Sequence, residues 1–432
     1  MSASEHSARE ILIGAFRAAV EAVSAERLLP PWLSAHPPPP IRGRTLVVGA
    51  GKAAGAMAAS LEAHWPEDAA PEGLVITRQG HGRPTRHLRV LEAGHPLPDT
   101  RGLDAARQLL DLLRSAHPED RVLALISGGG SSLLSLPAPG LTLTELATVS
   151  RALLRSGAPI ADINCVRKHL SQTLGGRLAE ACGAPVEVLM ISDVTGDDIS
   201  VIASGPFAPD PTDSAAALAV LSRWHVDAPP AVLGHLTDAV AGMVADTPKP
   251  GAACFTRVSH HLLGNGRTAL QGAAAYLVAR DIRPVILGDT VSGEAREVAQ
   301  VFAALAREIR QHGTPWKAPV ALLSGGETSV TVRGNGRGGR NMEFQLALAL
   351  ALSGLAGVHA LAADTDGIDG TTDAAGCWIS PDTLIRAAHR SVSALDCLTD
   401  NDAYRFFGVL DDLIHTGPTG TNANDFRALL IT

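Results

Sequence analysis

A short apolar run, TLVVG (45–49), leads into Gly49-Ala50-Gly51-Lys52-Ala53-Ala54-Gly55 and then an alanine-rich stretch of helical character. Glycines at such a turn let a phosphate approach the backbone, and the first turn of a helix offers unpaired N–H donors. The spacing, G-x-G-x-x-x-G, is neither the dinucleotide fingerprint nor the G-x-x-x-x-G-K-[ST] phosphate loop. Lys52 places a cation in the first turn of a helix, against the helix dipole, at a cost of roughly 0.3–1 kcal/mol that a bound anion would offset. The same oddity recurs twice. Asn164 reads as an N-cap, so that Arg167 and Lys168 open a helix. Gly334-Asn335-Gly336-Arg337-Gly338-Gly339-Arg340-Asn341 leads into an apolar helix from Met342. Singly, each is as well read as a solvated charge; together, three cationic helix starts point to an anion-rich cleft.

Ser127-Gly128-Gly129-Gly130-Ser131-Ser132 follows an apolar strand. Glycine amides there suit a loop wrapped around a phosphate, with the hydroxyls adding donors; the plainer reading is a tight turn. Ser324-Gly325-Gly326-Glu327-Thr328 is a weaker echo. Glu327 would repel a phosphate, so it is expected to hold a metal, a ribose or a neighbouring lysine. Carboxylates cluster after two further strands: Asp193 with Asp197 and Asp198, and Asp364, Asp366 and Asp369 with Asp373 close behind. The second set does not have the acid spacing or the terminal Glu of a calcium loop. At the carboxyl ends of strands such acids suit Mg²⁺ held through one or two carboxylates plus nucleotide phosphates, or a base for a substrate hydroxyl. They are equally good turn formers and caps. The adjacent His260 and His261 read as structural. No G-x-S-x-G elbow and no H-E-x-x-H occurs, so neither a serine hydrolase of that type nor a zincin is indicated.

The elements that must position these residues alternate. Strand candidates at 45–49, 73–77, 122–127, 186–192, 283–288, 320–324 and 358–363 are mostly separated by helical stretches, which points to α/β units with mostly parallel sheets. Residues 6–29 form an amphipathic helix expected to end before Pro30 and Pro31, and HPPPP (36–40) reads as a stiff connector. With 432 residues the chain is long enough for two or three domains, at roughly 150 residues each. A net charge of −8 and 3% aromatics argue against a nucleic-acid partner. Five scattered cysteines, an odd number with no C-x-x-C pair, read as reduced thiols in a cytoplasmic protein, and the polar N-terminus does not read as a signal peptide. The uncharged run 346–363 is broken by Gly354 and Gly357, so it reads as a buried helix followed by a buried strand ending at Asp364 rather than a membrane span. The large apolar fraction leaves room for a homodimer interface.

VVGAGKAAGAMA, LISGGGSSLL, NCVRKHLSQTLGGRLA, ISDVTGDDISVIASGPFAPDPT, LSGGETSVTV, GRGGRNMEFQLALAL, DTDGIDGTTDAAG and TGPTGTNANDF together resemble the glycerate 2-kinase family, whose members carry a C-terminal domain called MOFRL and many of which were once labelled hydroxypyruvate reductases. The matches run in order over roughly residues 45–426. The resemblance implies an N-terminal Rossmann-like domain (1–250), a connecting α/β segment (251–319), a C-terminal MOFRL α/β domain (320–432), and an active site in the cleft between two domains. It implies phosphorylation of D-glycerate by ATP with a divalent metal. It puts an essential lysine at Lys52 and an essential arginine at Arg340.

The expected assignment follows. Ser127, Gly128, Gly129, Gly130, Ser131 and Ser132, with Gly325, Gly326 and Glu327, hold ATP. Mg²⁺ sits near Asp193 or Asp366. Gly51, Lys52, Lys168 and Arg340 bind the small acid, and Asp193 orients or deprotonates its 2-hydroxyl. One alternative is a nicotinamide-dependent hydroxypyruvate reductase using the turn at 49–55; another is a sugar-acid or nucleotide-binding protein without catalysis.

Overall fold

A computed structural model describes residues 3–37, 42–66 and 69–432, with no account of the side chains of residues 3–6. Pro38–Pro40 of the expected connector lie outside the described residues. The chain divides into two compact units, Leu28–Leu263 and a second made of Met1–Arg27 with Gly264–Thr432. The expected segments 1–250, 251–319 and 320–432 thus differ from the observed division in two places. The N-terminal helix joins the second unit, and residues 251–319 split at Leu263/Gly264.

The first unit is built on six strands: β1 (Thr45–Ala50), β2 (Glu72–Arg78), β3 (Arg89–Ala93), β4 (Arg121–Ser127), β5 (Val186–Ile191) and β6 (Val258–Gly264). They lie in the order β3-β2-β1-β4-β5-β6, and β1, β2, β3, β4 and β5 pair in parallel. β1 and β4 are buried at every residue, which is why they read as unbroken apolar runs rather than alternating ones. The order reverses between β1 and β4. Connections leaving those two strands depart in opposite directions, so a crevice forms outside their carboxyl ends. Both glycine-rich turns stand there.

The second unit adds β7 (Arg283–Gly288), β8 (Gly293–Glu294), β9 (Val320–Ser324), β10 (Thr328–Ser329), β11 (Val358–Asp364), β12 (Gly376–Ile379), β13 (Leu413–Ile414) and β14 (Asp425–Ile431). Its large sheet runs β13-β12-β11-β14-β9-β7 and is mixed: β7 and β9 are parallel, whereas β14 is antiparallel to both β9 and β11. Helices lie on both faces. Phe426 meets Phe16 of helix Ala3–Ala22 with ring centroids 5.7 Å apart, and the next residue, Arg427, lies 5.3 Å from the ring of Phe344 on helix Arg340–Leu352. Successive strand residues point to opposite faces, so those two helices cover opposite sides. The N-terminal helix belongs here because it crosses helix Gly266–Val278 closely. A Cβ on Gly272 would fall 2.5 Å from that of Ala22, and one on Gly14 would strike Tyr276.

Two expectations about helices need correction or hold. The N-terminal helix does not run to Pro30. It stops at Ala22, and a second helix, Ala25–Ala35, contains both prolines. Ser24 caps the new start by accepting from the Arg27 amide, and the Pro30 carbonyl accepts the Ser34 hydroxyl, so local hydrogen bonds carry the helix past the prolines. The uncharged run 346–363 does divide into the end of helix Arg340–Leu352 and the buried β11, and no helix among the described residues is long and apolar enough to cross a membrane.

Candidate active site

At the carboxyl end of β1, Gly51 adopts φ 139°, and a Cβ there would lie 2.1 Å from the Ser127 hydroxyl. Only glycine lets the two turns touch. The contact uses up the backbone. The amide of Gly51 donates to the Ile76 carbonyl, that of Lys52 to Gly128, that of Ala53 to the Ser127 hydroxyl and that of Ala54 to Gly51. The amides at 51–54 are therefore engaged: two tie the turn to the end of β4, one to β2, and one closes the turn on itself. The cation of this turn is the Lys52 side chain. Its stem passes over Gly129, where a Cβ would come within 3.3 Å of Lys52 Cγ and 3.0 Å of the His95 ring.

The Ser-Gly loop turns into a short helix, Gly130–Leu133, whose N-cap Gly129 is left-handed (φ 82°) and whose first turn no side chain caps. Ser132 Oγ donates to the Gly129 carbonyl and meets His95 Nδ1 at 2.6 Å. Ser131 Oγ lies 2.7 Å from Ser204 Oγ, and Ser204 donates to the Asn164 side chain at 3.1 Å. Ala203, Ser204 and Gly205 are left-handed in succession (φ 51°, 58° and 58°). For Ala203 and Ser204 this conformation costs about 1–3 kcal/mol each, so the surrounding contacts hold Ser204 against the loop. Asp193 stands two residues beyond the end of β5, next to β4 in the sheet and on the same edge as the Ser-Gly loop.

Asn164 is not an N-cap. The helix begins at Ile160 after Pro159 and ends at His169, so Asn164 is mid-helix and Arg167, Lys168 and His169 form its last turn. Cations there complement the dipole instead of opposing it. The two neighbours have different fates. Lys168 is buried and meets Asp210 at 3.3 Å, beside Thr212, Thr247 and His169, all tied to the same carboxylate. It is held in a buried charge cluster centred on Asp210. Arg167 lines a small opening together with Ser131, Ser132 and Ser135.

In the second unit Arg340 is the first residue of its helix, as expected, and each arm of its guanidinium meets a carboxylate: Nε to Asp425 at 2.8 Å, one terminal nitrogen to Glu327 at 2.8 Å, the other to Asp364 at 2.9 Å. Those acids hold its pKa well above the ordinary arginine value even against burial. Three of its N–H groups are used and two remain. Arg340 lines an opening together with Thr328 and Gly339. The echo loop serves this constellation. Gly326 (φ 97°) fits against the Val291 backbone, the Gly325 carbonyl accepts from Arg427, and Arg427 also pairs with Asp425. Glu327 thus holds an arginine, not the lysine considered from the sequence. Asp366 lies on the same turn as Asp364, but its carboxylate accepts the Ile368 amide.

Two family models match the chain: a domain of unknown function, DUF4147, over residues 11–237, and the MOFRL family over 320–425. A protein of Agrobacterium vitis provisionally named a hydroxypyruvate reductase is 44% identical, covering 100% of this chain and 96% of the relative. The D-glycerate 2-kinase of Thermotoga maritima is 38% identical, covering 98% of this chain and 99% of the relative. The crystal structure of a Thermotoga maritima glycerate kinase superposes with a TM-score of 0.87 at 37% identity, over 99% of this chain and 100% of that one. The chain belongs to the glycerate kinase family.

In this glycerate kinase family member, several residues at the sites carry no mark in the sequence: His95, Ser204 and Asp425 reach them from other parts of the chain. Of the acids that the sequence did single out, Asp369 serves as a cap. Its carboxylate accepts the amides of Asn341 and Met342, capping the Arg340 helix from 27 residues away, and a Cβ on Gly339 would lie 2.3 Å from it. Burial, with Asp425 nearby, raises its pKa to about 6. A carboxyl that binds its proton more tightly folded than unfolded stabilises most below about pH 4 and progressively less up to about pH 6. The difference across that window is about 3 kcal/mol. Asp369→Asn keeps an oxygen acceptor without the titration. Its urea midpoint relative to wild type is expected to improve between pH 4.5 and pH 7; a constant difference would mean that Asp369 does not titrate there.

Proposed function

We propose that this protein is an ATP-dependent D-glycerate 2-kinase, giving 2-phospho-D-glycerate and ADP. One observation carries the reading: the likeness to a D-glycerate 2-kinase spans both units end to end, at 38% identity over 98% of the chain. In the proposed reaction the 2-hydroxyl oxygen attacks the γ-phosphorus, its proton passes to Asp193, and the bond to the bridging oxygen breaks as ADP leaves. Such a transfer depends on positioning and on neutralising charge spread over the phosphoryl oxygens. Lys52 and the two remaining N–H groups of Arg340 supply that charge. The uncapped turn at Gly129–Ser132 suits phosphate oxygens.

Among the described residues no group of three or more His, Cys, Asp or Glu side chains is arranged to hold a metal. That donor set suits Mg²⁺ bound chiefly by nucleotide phosphates with one or two carboxylates, for which Asp193 is the first candidate and Asp366 the second. When bound, the ion would neutralise phosphate charge. The five cysteines are free and four are buried, in keeping with a cytoplasmic enzyme.

The test supplies D-glycerate, ATP and Mg²⁺ and couples the product to enolase without a mutase. Enolase signal is the expected result. ADP release without that signal would move the phosphoryl group to another hydroxyl. Absence of ADP release, with oxidation of NADH by hydroxypyruvate, would overturn the reading in favour of the activity named for the Agrobacterium relative.

A further inference from the structure

Arg167 stands apart among the desolvated arginines: even Arg177, whose side chain bonds a backbone carbonyl, lies in the field of Glu180, Asp246 and Asp210. Arg340, Arg386 and Arg427 each meet at least one carboxylate. Arg167 meets none among the described residues; its one side-chain hydrogen bond is a long one, 3.4 Å, from Nε to the Ser150 hydroxyl. Burial alone acts on it, pushing its pKa below the ordinary value with no acid to oppose the effect. A guanidinium taken out of water without a counter-charge is a costly arrangement, and its planar fork is made for carboxylate or phosphate oxygens. It faces the right place. The small opening it lines is bordered by Ser131, Ser132 and Ser135 and by apolar residues such as Leu146 and Val166. Ser131 is braced by Ser204, and Ser132 by His95, within the constellation that also holds Lys52 over Gly129.

We infer that Arg167 receives the carboxylate of the small hydroxy acid, with the serine hydroxyls of the Ser-Gly loop beside it. A small opening with so much apolar lining suits a compact three-carbon acid and not a triphosphate, whose charge needs Lys52 and the loop amides. The inference rests on the kinase reading for the identity of the acid, but the anion site can be tested without turnover.

The experiment compares wild type with Arg167→Met and Arg167→Lys in kinetics and in thermal unfolding. Arg167→Met is expected to raise the KM for D-glycerate on the order of a hundredfold, as truncating one partner of a buried charge pair does, with the KM for ATP within about twofold. Its melting temperature without ligand is expected to be equal to or above that of wild type, because an uncompensated buried charge has been removed; a merely structural arginine would lower it. Arg167→Lys keeps the charge, loses the fork, and is expected to fall between. Independently of catalysis, D-glycerate and hydroxypyruvate should raise the melting temperature of wild type and not of Arg167→Met, whereas glycerol should raise neither. A rise in the ATP KM with the glycerate KM unchanged would assign Arg167 to phosphate instead. If neither KM moves, or if no small carboxylate stabilises the wild type, the inference is overturned. Stabilisation by carboxylates that depends on Arg167, in an enzyme that does not phosphorylate glycerate, would overturn the kinase reading alone.

Discussion

Lys52→Met is expected to lower kcat on the order of a thousandfold, by analogy with the loss of one charge-stabilising donor from a pre-organised site. The melting temperature is expected to stay within about 1 °C of wild type, roughly what 1 kcal/mol shifts it in a chain of 432 residues. The argument rests on how the turn is built. The amides of Lys52 and Ala53 tie the turn to β4 and its loop, that of Gly51 donates to β2, and that of Ala54 closes on Gly51. With those donors engaged, the Lys52 ammonium is the charge that the proposed reaction would draw from this turn. Methionine keeps the aliphatic stem that passes over Gly129 and removes the charge alone. Turnover from the enolase-coupled assay and unfolding by calorimetry separate the two effects. Wild-type turnover in Lys52→Met would remove Lys52 from the chemistry. A collapse in melting temperature would instead make it part of the fold.

What could be read in the sequence follows from range. β1, β4 and β5 are buried apolar runs, and a buried parallel strand advertises itself locally. The cations of the GAGK turn and the G-G-R-N start were visible for the same reason: their cost is set by the helix that follows. β14 was missed although it is central in its sheet, because Asp425 and Arg427 look like surface residues. Both are fully buried, and they satisfy each other and Arg340. The Asn164 helix was misplaced because Pro159 was not read as its start. Lys168 and Arg167 stand side by side in sequence, and only tertiary structure separates a lysine neutralised by Asp210 from an arginine with no acid. Asp369 was visible as one of a cluster of acids, but the helix it caps precedes it by 27 residues, so the partner could not be read locally.

Arg340→Ala is expected to abolish measurable turnover and also to destabilise the protein by about 3–5 kcal/mol, the usual result of leaving buried charges without their partner. Asp364 and Asp425 are buried and Glu327 is half-exposed, so two of the three acids lose a counter-ion they cannot replace with water. Loss of activity alone would therefore say little about catalysis. The double variant Arg340→Ala/Asp364→Asn separates the roles. Removing one buried charge that has lost Arg340 should recover part of the stability in urea, because Asp425 keeps Arg427 and Glu327 keeps solvent. It should recover none of the turnover if the two remaining N–H groups of Arg340 act on the substrate or the transferring phosphoryl group. If turnover returns in step with stability, Arg340 serves only to hold the carboxylates together, and the positive charge for the reaction must come from Lys52 and the metal. Arg340→Lys sharpens the same point: one ammonium cannot span Asp425, Glu327 and Asp364 and still present donors to a ligand. It is expected to keep most of the stability and little of the activity.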